Sequence, residues 1–307
     1  MTYFRTSSML HRMDKKQFTL LSSLATHPAS LSQRQLSSLT GYALGSVNAV
    51  YRECARQGYL SEGAITPLGL DALEPYRVKR AIFLAAGFSA RLAPITFNTP
   101  KPLVQVNGTR IIDGLIDACL ALDIKEIYVV RGYLAGQFDQ LLAKYPMVKF
   151  LENPAYNESN NITSAVIAKE HFANAYVFEA DLLIRSPNVL TPYHWQSDFL
   201  AVWKGRSDDW CFTVDKKGII QSERMGGFNT WQMVGISYWS ASDGTQLAID
   251  LPYAAQLPGG KEQFWEQVPL SVCRNHYQVA LRPCSATDIR EIDTFRELKA
   301  IDPSYEV

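Results

Sequence analysis

The sequence does not pair its cysteines. Cys54, Cys119, Cys211, Cys273 and Cys284 are odd in number, widely scattered and never in a C-x-x-C pair. That pattern fits reduced thiols better than a disulfide framework or a zinc site. The five histidines are equally dispersed. No stretch of about 18 apolar residues exists to span a membrane, and "MTYFRTSSMLHRMDKK" lacks the apolar core of a signal peptide. The expectation is a cytoplasmic protein without membrane insertion. Net charge is zero, so nothing draws the whole chain to nucleic acid or an anionic surface. No internal repeat or low-complexity segment is present, and no tryptophan precedes Trp195.

What is present is a 307-residue chain, 47% hydrophobic and 20% charged, long enough for two domains with sizeable cores. Residues 1–80 carry five more basic than acidic side chains, and residues 81–307 five more acidic than basic. The division expected is 1–77 and 78–307, with the short charged stretch Pro75–Arg80 as linker. In the front part, Phe18, Leu21 and Leu24 have helical spacing up to Pro28; Ser32 and Gly41 cap a second helix; Val47, Val50, Tyr51 and Cys54 mark a third. A turn at Glu62-Gly63 between two short strands and a last helix follow. This order resembles a winged helix-turn-helix, and "ITPLGLDAL" is similar to the corresponding stretch of the multiple-antibiotic-resistance repressor family. The resemblance implies a third helix able to meet DNA through Asn48, Arg52 and Arg56. Docking or dimerisation is the alternative use, and a second copy of the chain is then the partner.

From Ala81 onward, strand-like and helix-like runs alternate, which predicts an α/β fold with a mostly parallel sheet and ligands outside its carboxyl edge. "AGQFDQLLAKY" and "NITSAVIAKEHF" read as helices, and "AYVFEADLLI" as one strand. After Pro192 come four short strand-like runs, "FLAVWK", "WCFTVD", "GIIQSER" and "WQMVGISYW".

The uncharged strand ending in Leu84-Ala85-Ala86-Gly87 leads to Arg91 and then to Lys101, held between Pro100 and Pro102. A glycine with small neighbours admits a close ligand, and two fixed cations suit a polyphosphate. L-A-A-G-x-x-x-R-L-x-P-x-T followed by K-P-L resembles the signature of nucleotidyltransferases acting on sugar phosphates and related esters. The resemblance implies a Rossmann-like fold, and a nucleoside triphosphate wrapped by Leu84, Ala85, Ala86 and Gly87. It also implies Arg91 at the β/γ-phosphates and Lys101 at the α-phosphorus. Ser89-Ala90 stands where Gly-Ser is frequent. "YNESNNITSA" is similar to the phosphocholine cytidylyltransferase branch, which implies nucleotide contacts from Asn160 and Ser164. "FEADLLI" and "IREIDTFRELK" imply Mg²⁺ ligands at Asp181 and Asp293, with Glu291 beside the acceptor. Asp293 as a helix cap is the plain alternative.

Nucleotidyl transfer needs positioning and neutralised charge more than covalent help, and two remote carboxylates suit a magnesium site. The resulting expectation is cytidylyl transfer from CTP to phosphocholine, with Trp203 and Trp231 as a cage for the quaternary ammonium and Asp208 or Asp209 nearby. Acceptors such as 2-aminoethylphosphonate or a sugar 1-phosphate remain open within the same chemistry. From another class, the chain could be a DNA-binding regulator whose body senses CTP or CDP-choline.

Overall fold

In the computed structural model, which describes residues 13–27 and 31–305, Asp14 opens the first helix. Its carboxylate accepts from the amides of Lys16 and Gln17, and the Gln17 side chain returns a bond to the Asp14 amide. This capping box satisfies amides that the helix cannot pair itself. Helix α1 (Lys15–Thr26) is followed by α2 (Gln33–Thr40), α3 (Leu44–Arg56), a two-stranded hairpin of β1 (Leu60–Ser61) and β2 (Ala64–Ile65), and α4 (Pro67–Leu73). Ser32 caps α2, and Gly41 ends it in the left-handed conformation at φ 71°, a region where glycine carries no penalty. Pro28 lies outside the described residues. Leu21, Leu36, Val47, Cys54 and Leu73 fill a small core. The chain divides into two compact units, ending and starting at Arg77 and Val78.

On α3 the basic face is thinner than the sequence suggests. Arg56 is paired with Glu53 at 2.7 Å, and the side-chain oxygen of Asn48 is buried without a partner. Arg52 is exposed, its Nε donating to the Asn48 carbonyl.

The second unit contains β3 (Arg80–Leu84), β4 (Gln105–Val106), β5 (Thr109–Arg110), α5 (Ile111–Ala121), β6 (Glu126–Arg131), β7 (Val148–Glu152), α6 (Ile162–Ala168), β8 (Ala175–Glu179) and β9 (Leu182–Ile184). Then come β10 (Asp198–Val214), β11 (Ile220–Trp239), α7 (Ala241–Gln256), β12 (Ala280–Cys284), β13 (Ile289–Glu291) and α8 (Phe295–Ile301). Seven strands form the central sheet in the order β12-β10-β11-β8-β3-β6-β7. The β8-β3-β6-β7 run and the β10-β12 pair are parallel, whereas β11 is antiparallel to both neighbours. The fold is thus an α/β architecture with a mostly parallel sheet.

Alternation along β3 shows why its sequence is uniformly apolar. Ala81 and Phe83 face one core with α5, and Ile82 faces the other with α6 and α7. A central strand covered on both sides needs no polar face. Phe83 stacks on Phe178 of β8 at 4.8 Å. Trp239 and Trp265 belong to the second core, so two of the six tryptophans are simple packing residues.

Three local expectations change. The four short runs after Pro192 are two long strands, β10 and β11, continuous through irregular register near Ser207–Trp210. Ala135–Ala143 winds as a 3₁₀-helix. "AYVFEADLLI" breaks into β8 and β9, because Ala180-Asp181 leaves the main sheet and β9 pairs with β13 instead.

Candidate active site

The loop after β3 is held from beneath. Ala85 donates its amide to the Val130 carbonyl, and the Ala86 carbonyl accepts from Tyr133. The Tyr133 hydroxyl donates to the Thr96 carbonyl at 2.9 Å, bracing the loop across its span. Ala85 and Ala86 are buried and Gly87 is exposed. A side-chain carbon at Gly87 would meet no protein atom within 4 Å, so the backbone there has open space in front of it. The left-handed turn is made by Ser89, at φ 53°, and not by the glycine.

Lys101 starts a short 3₁₀ turn, Lys101–Leu103, with Pro100 before it and Pro102 within. Its side chain is 5% exposed, with Nζ 2.7 Å from Asp181 Oδ2 and 3.3 Å from Asp293 Oδ1. Arg91 reaches the same Asp293 oxygen at 2.8 Å from its exposed position. Burial by itself pulls the Lys101 pKa down, but Asp181 and then Asp293 outweigh it and hold the ammonium above its usual value.

Pairing of β9 with β13 brings the two aspartates together. Leu182 faces Glu291 in that pairing, and the Ile292 amide donates to the Asp181 carbonyl. The residue before β9 and the residue two beyond β13 therefore meet. Asp293 is not the cap of α8. That role belongs to Thr294, which forms a capping box with Glu297. Carboxylate oxygens of Glu179, Asp181 and Glu291 lie within 4.8 Å of one another. Burial, then Asp181 and Asp293, push Glu291 up to about 9. Asp181 Oδ1 is buried and lacks a hydrogen-bond partner. An orphaned oxygen among hard carboxylate donors fits a magnesium ion.

Beside these groups opens a cavity of about 270 Å³ lined by Arg91, Glu179, Asp209, Trp210, Glu223, Phe264, Glu266, Glu291 and Asp293, among others. Burial, then Glu266, raises Glu179 well above the usual carboxylate range. Glu266 is pushed up to about 7 by burial, and Glu223 is raised for the same reason. Carboxylates crowded together away from water resist ionising together. Gly235 makes room for Glu179: a Cβ there would lie 2.6 Å from Glu179 Cβ and 2.7 Å from its Cδ. Asn161 steadies the opposite wall, accepting from the Trp265 amide and donating to Glu266 at 3.5 Å.

Trp203 and Trp231 are not in this cavity. They pair across β10 and β11 with rings 5.1 Å apart, and Trp203 is 52% exposed. Ring faces are supplied instead by Trp210 and Phe264, edge to face at 5.9 Å. The cage expectation is corrected accordingly: alternation along β10 turns Trp203 away from the side on which the carboxylates converge. Asp209 lines the cavity. Ser164 is buried and accepts from Asn153 at 3.0 Å. Asn160 is bonded to the Lys261 and Glu262 carbonyls. Leu84 completes the strand before the loop. Sequence reasoning passed over Glu223, Phe264 and Glu266, which no motif connects, and did not choose Trp210 among the six tryptophans. Only Glu179 offered a signal, as the acid two residues before Asp181.

Residues 80–200 match the nucleotidyl transferase family. The chain is 38% identical over 231 residues to a 2-aminoethylphosphonate cytidylyltransferase of Lancefieldella rimae, covering 73% of this chain and 92% of that protein. It is 31% identical over 232 residues to the choline-phosphate cytidylyltransferase of Streptococcus pneumoniae, covering 73% and 96%. A solved structure of CTP:phosphocholine cytidylyltransferase from that organism superposes with a TM-score of 0.68 at 28% identity, over 74% of this chain and 99% of that one. Among the described residues no helix is long and apolar enough to cross a membrane.

Proposed function

The chain belongs to the nucleotidyl transferase family, and from that premise we propose that it transfers the cytidylyl group of CTP to 2-aminoethylphosphonate, releasing pyrophosphate. The observation that carries the acceptor is the cavity floor of Glu179, Glu223 and Glu266 next to Lys101, Asp181 and Asp293. A primary ammonium has three N–H donors and needs three acceptors. A quaternary ammonium has none and needs ring faces. The relative from Lancefieldella rimae supports the same choice.

A phosphonate oxygen of the acceptor attacks the α-phosphorus of CTP, and the bond from that phosphorus to the β-phosphate bridging oxygen breaks. Lys101, already aimed between two carboxylates, stabilises charge developing on the α-phosphoryl group. Arg91 neutralises the departing pyrophosphate. The loop of Leu84–Gly87 binds the triphosphate through backbone amides. Glu179, Glu223 and Glu266 hold the ammonium and so fix the direction of attack. No general base is needed, because phosphate-type acceptors are largely ionised at neutral pH. Asp181 and Asp293, with Glu291, are the residues that would hold Mg²⁺, which supplies positive charge to the phosphate oxygens.

Phosphocholine is the second reading, favoured by Trp210 and Phe264 in the same cavity. A pyrophosphate-release assay with CTP, ATP, GTP and UTP against 2-aminoethylphosphonate, phosphocholine, phosphoethanolamine and glucose 1-phosphate separates the possibilities. The expected winner in kcat/KM is CTP with 2-aminoethylphosphonate. A preference for phosphocholine would overturn the acceptor and leave cytidylyl transfer standing. A preference for another nucleotide would overturn the transfer itself.

A further inference from the structure

Away from the carboxylates just described, α7 carries a buried acid with an uncommon set of neighbours. Asp250 is 3% exposed. Its Oδ2 accepts from the Tyr277 hydroxyl at 2.6 Å and lies 2.8 Å from His276 Nδ1, while its Oδ1 accepts from Gln246 Nε2 at 3.1 Å. Among the described residues no lysine or arginine lies within ion-pairing distance of it; His276 is its one ion-pair partner. Buried charges are normally paired or bound to a metal. Cys273 follows the π-helical turn Val268–Val272 and is 7% exposed. Its sulfur, an Asp250 oxygen and a His276 ring nitrogen lie within 4.8 Å of one another.

We propose that Asp250, Cys273 and His276 form a binding site for a borderline transition-metal ion, Zn²⁺ in particular, with its fourth position open to water. One thiolate, one imidazole and one carboxylate are the donor types that zinc takes, and three protein ligands leave a solvent position. The thiol sets this site apart from the Asp181–Asp293 pair, since a hard ion such as Mg²⁺ does not select sulfur. Tyr277 and Gln246 already orient the carboxylate, as outer hydrogen bonds do around metal ligands. His276 is half-exposed, so its ring can rotate and a metal can enter from that side. Tetrahedral bonds of about 2.0–2.3 Å set ligand atoms roughly 3.3–3.8 Å apart. The 2.8 Å aspartate–histidine contact would open by about half an ångström, and the cysteine, within 4.8 Å of both, would close in by at most about one. On binding, the Cys273 thiol releases its proton to solvent, and the imidazole proton moves from Nδ1 to Nε2. The ion would fasten α7 to the segment that continues from Phe264, Glu266 and Gln267 on the cavity wall. The C-x-x-H spacing of Cys273 and His276 is visible in the sequence, but only the fold brings Asp250 to it.

Cobalt titration of the full chain tests this, with excess Mg²⁺ present to occupy the hard carboxylates. One equivalent of Co²⁺ should give a sulfur-to-cobalt charge-transfer band that Zn²⁺ displaces, and Cys273→Ser should abolish it. His276→Ala, at a half-exposed position, should weaken cobalt binding tenfold or more with the circular dichroism spectrum unchanged. The proposal is overturned if the wild-type protein gives no such band. It is equally overturned if His276→Ala leaves the band and its affinity unchanged, since another cysteine would then hold the metal.

Discussion

Lys101 Nζ lies 2.7 Å from Asp181 Oδ2, although the two residues are 80 positions apart and the lysine side chain is 5% exposed. A buried ammonium is tolerated only when paired, so this contact positions the lysine as well as charging it. Lys101→Ala should lower kcat about a hundredfold, the usual cost of a lost donor to developing charge. KM for CTP should change less. Steady-state kinetics equal to wild type would remove Lys101 from the transition state.

Because Thr294 and Glu297 cap α8, the Asp293 carboxylate is not spent on the helix and faces Lys101 and Arg91 instead. Asp293→Asn and Asp181→Asn should each abolish Mg²⁺-dependent turnover while leaving the circular dichroism spectrum intact. Thr294→Ala should do the reverse, losing about 1 kcal/mol of stability with most turnover kept. Turnover by either asparagine variant at ordinary magnesium would exclude that residue as a metal ligand.

Gly235 gives a sharper test of the cavity. With Glu179 Cβ only 2.6 Å from where a new methyl would sit, Gly235→Ala must displace Glu179. The acceptor KM should rise tenfold or more, and CTP binding measured by calorimetry should be nearly unchanged. Normal acceptor kinetics would mean that Glu179 does not touch the acceptor.

Glu266 makes stability depend on pH. Burial first, then the Glu223 carboxylate, holds its pKa near 7 in the folded protein against the opposing hydrogen bonds from Asn161 and Glu179, compared with roughly 4.3 when unfolded. The folded state therefore binds the extra proton, and the stabilisation is full below the unfolded value and lost as pH climbs through about 7. Urea unfolding of the wild type should show a loss on the order of 1–3 kcal/mol between pH 5 and 8. Glu266→Gln, which stays neutral, should lose clearly less. Parallel pH dependences would show that Glu266 is ionised throughout.

The unit beginning at Val78 has its own two-sided core. Deleting residues 1–77 should therefore leave a folded protein with kcat within about threefold of the full chain, as no proposed catalytic group is removed. A soluble truncated chain that binds CTP without turnover would make the front unit part of the catalyst.

The loop after β3 was legible in the sequence because its parts are local: an apolar strand, small residues, Arg91 and a proline-locked Lys101 within one short stretch. The alternation of strands and helices was legible for the same reason, since periodicity follows from local burial. The long hairpin of β10 and β11 was not. Gly205, Asp208, Asp209, Gly226 and Asn229 read as breaks, whereas the strands pass through all of them, with irregular register between Ser207 and Trp210 and Gly226 at φ 70°. Position along that hairpin then decided which aromatic residues meet the cavity, sending Trp210 in and Trp203 out. The acid-lined cavity belongs to tertiary structure alone. Glu179, Glu223 and Glu266 come from separate segments, and Glu223 and Glu266 look like ordinary surface acids in sequence. Only packing removes water from them, and desolvation is a property of the whole fold, not of neighbouring residues.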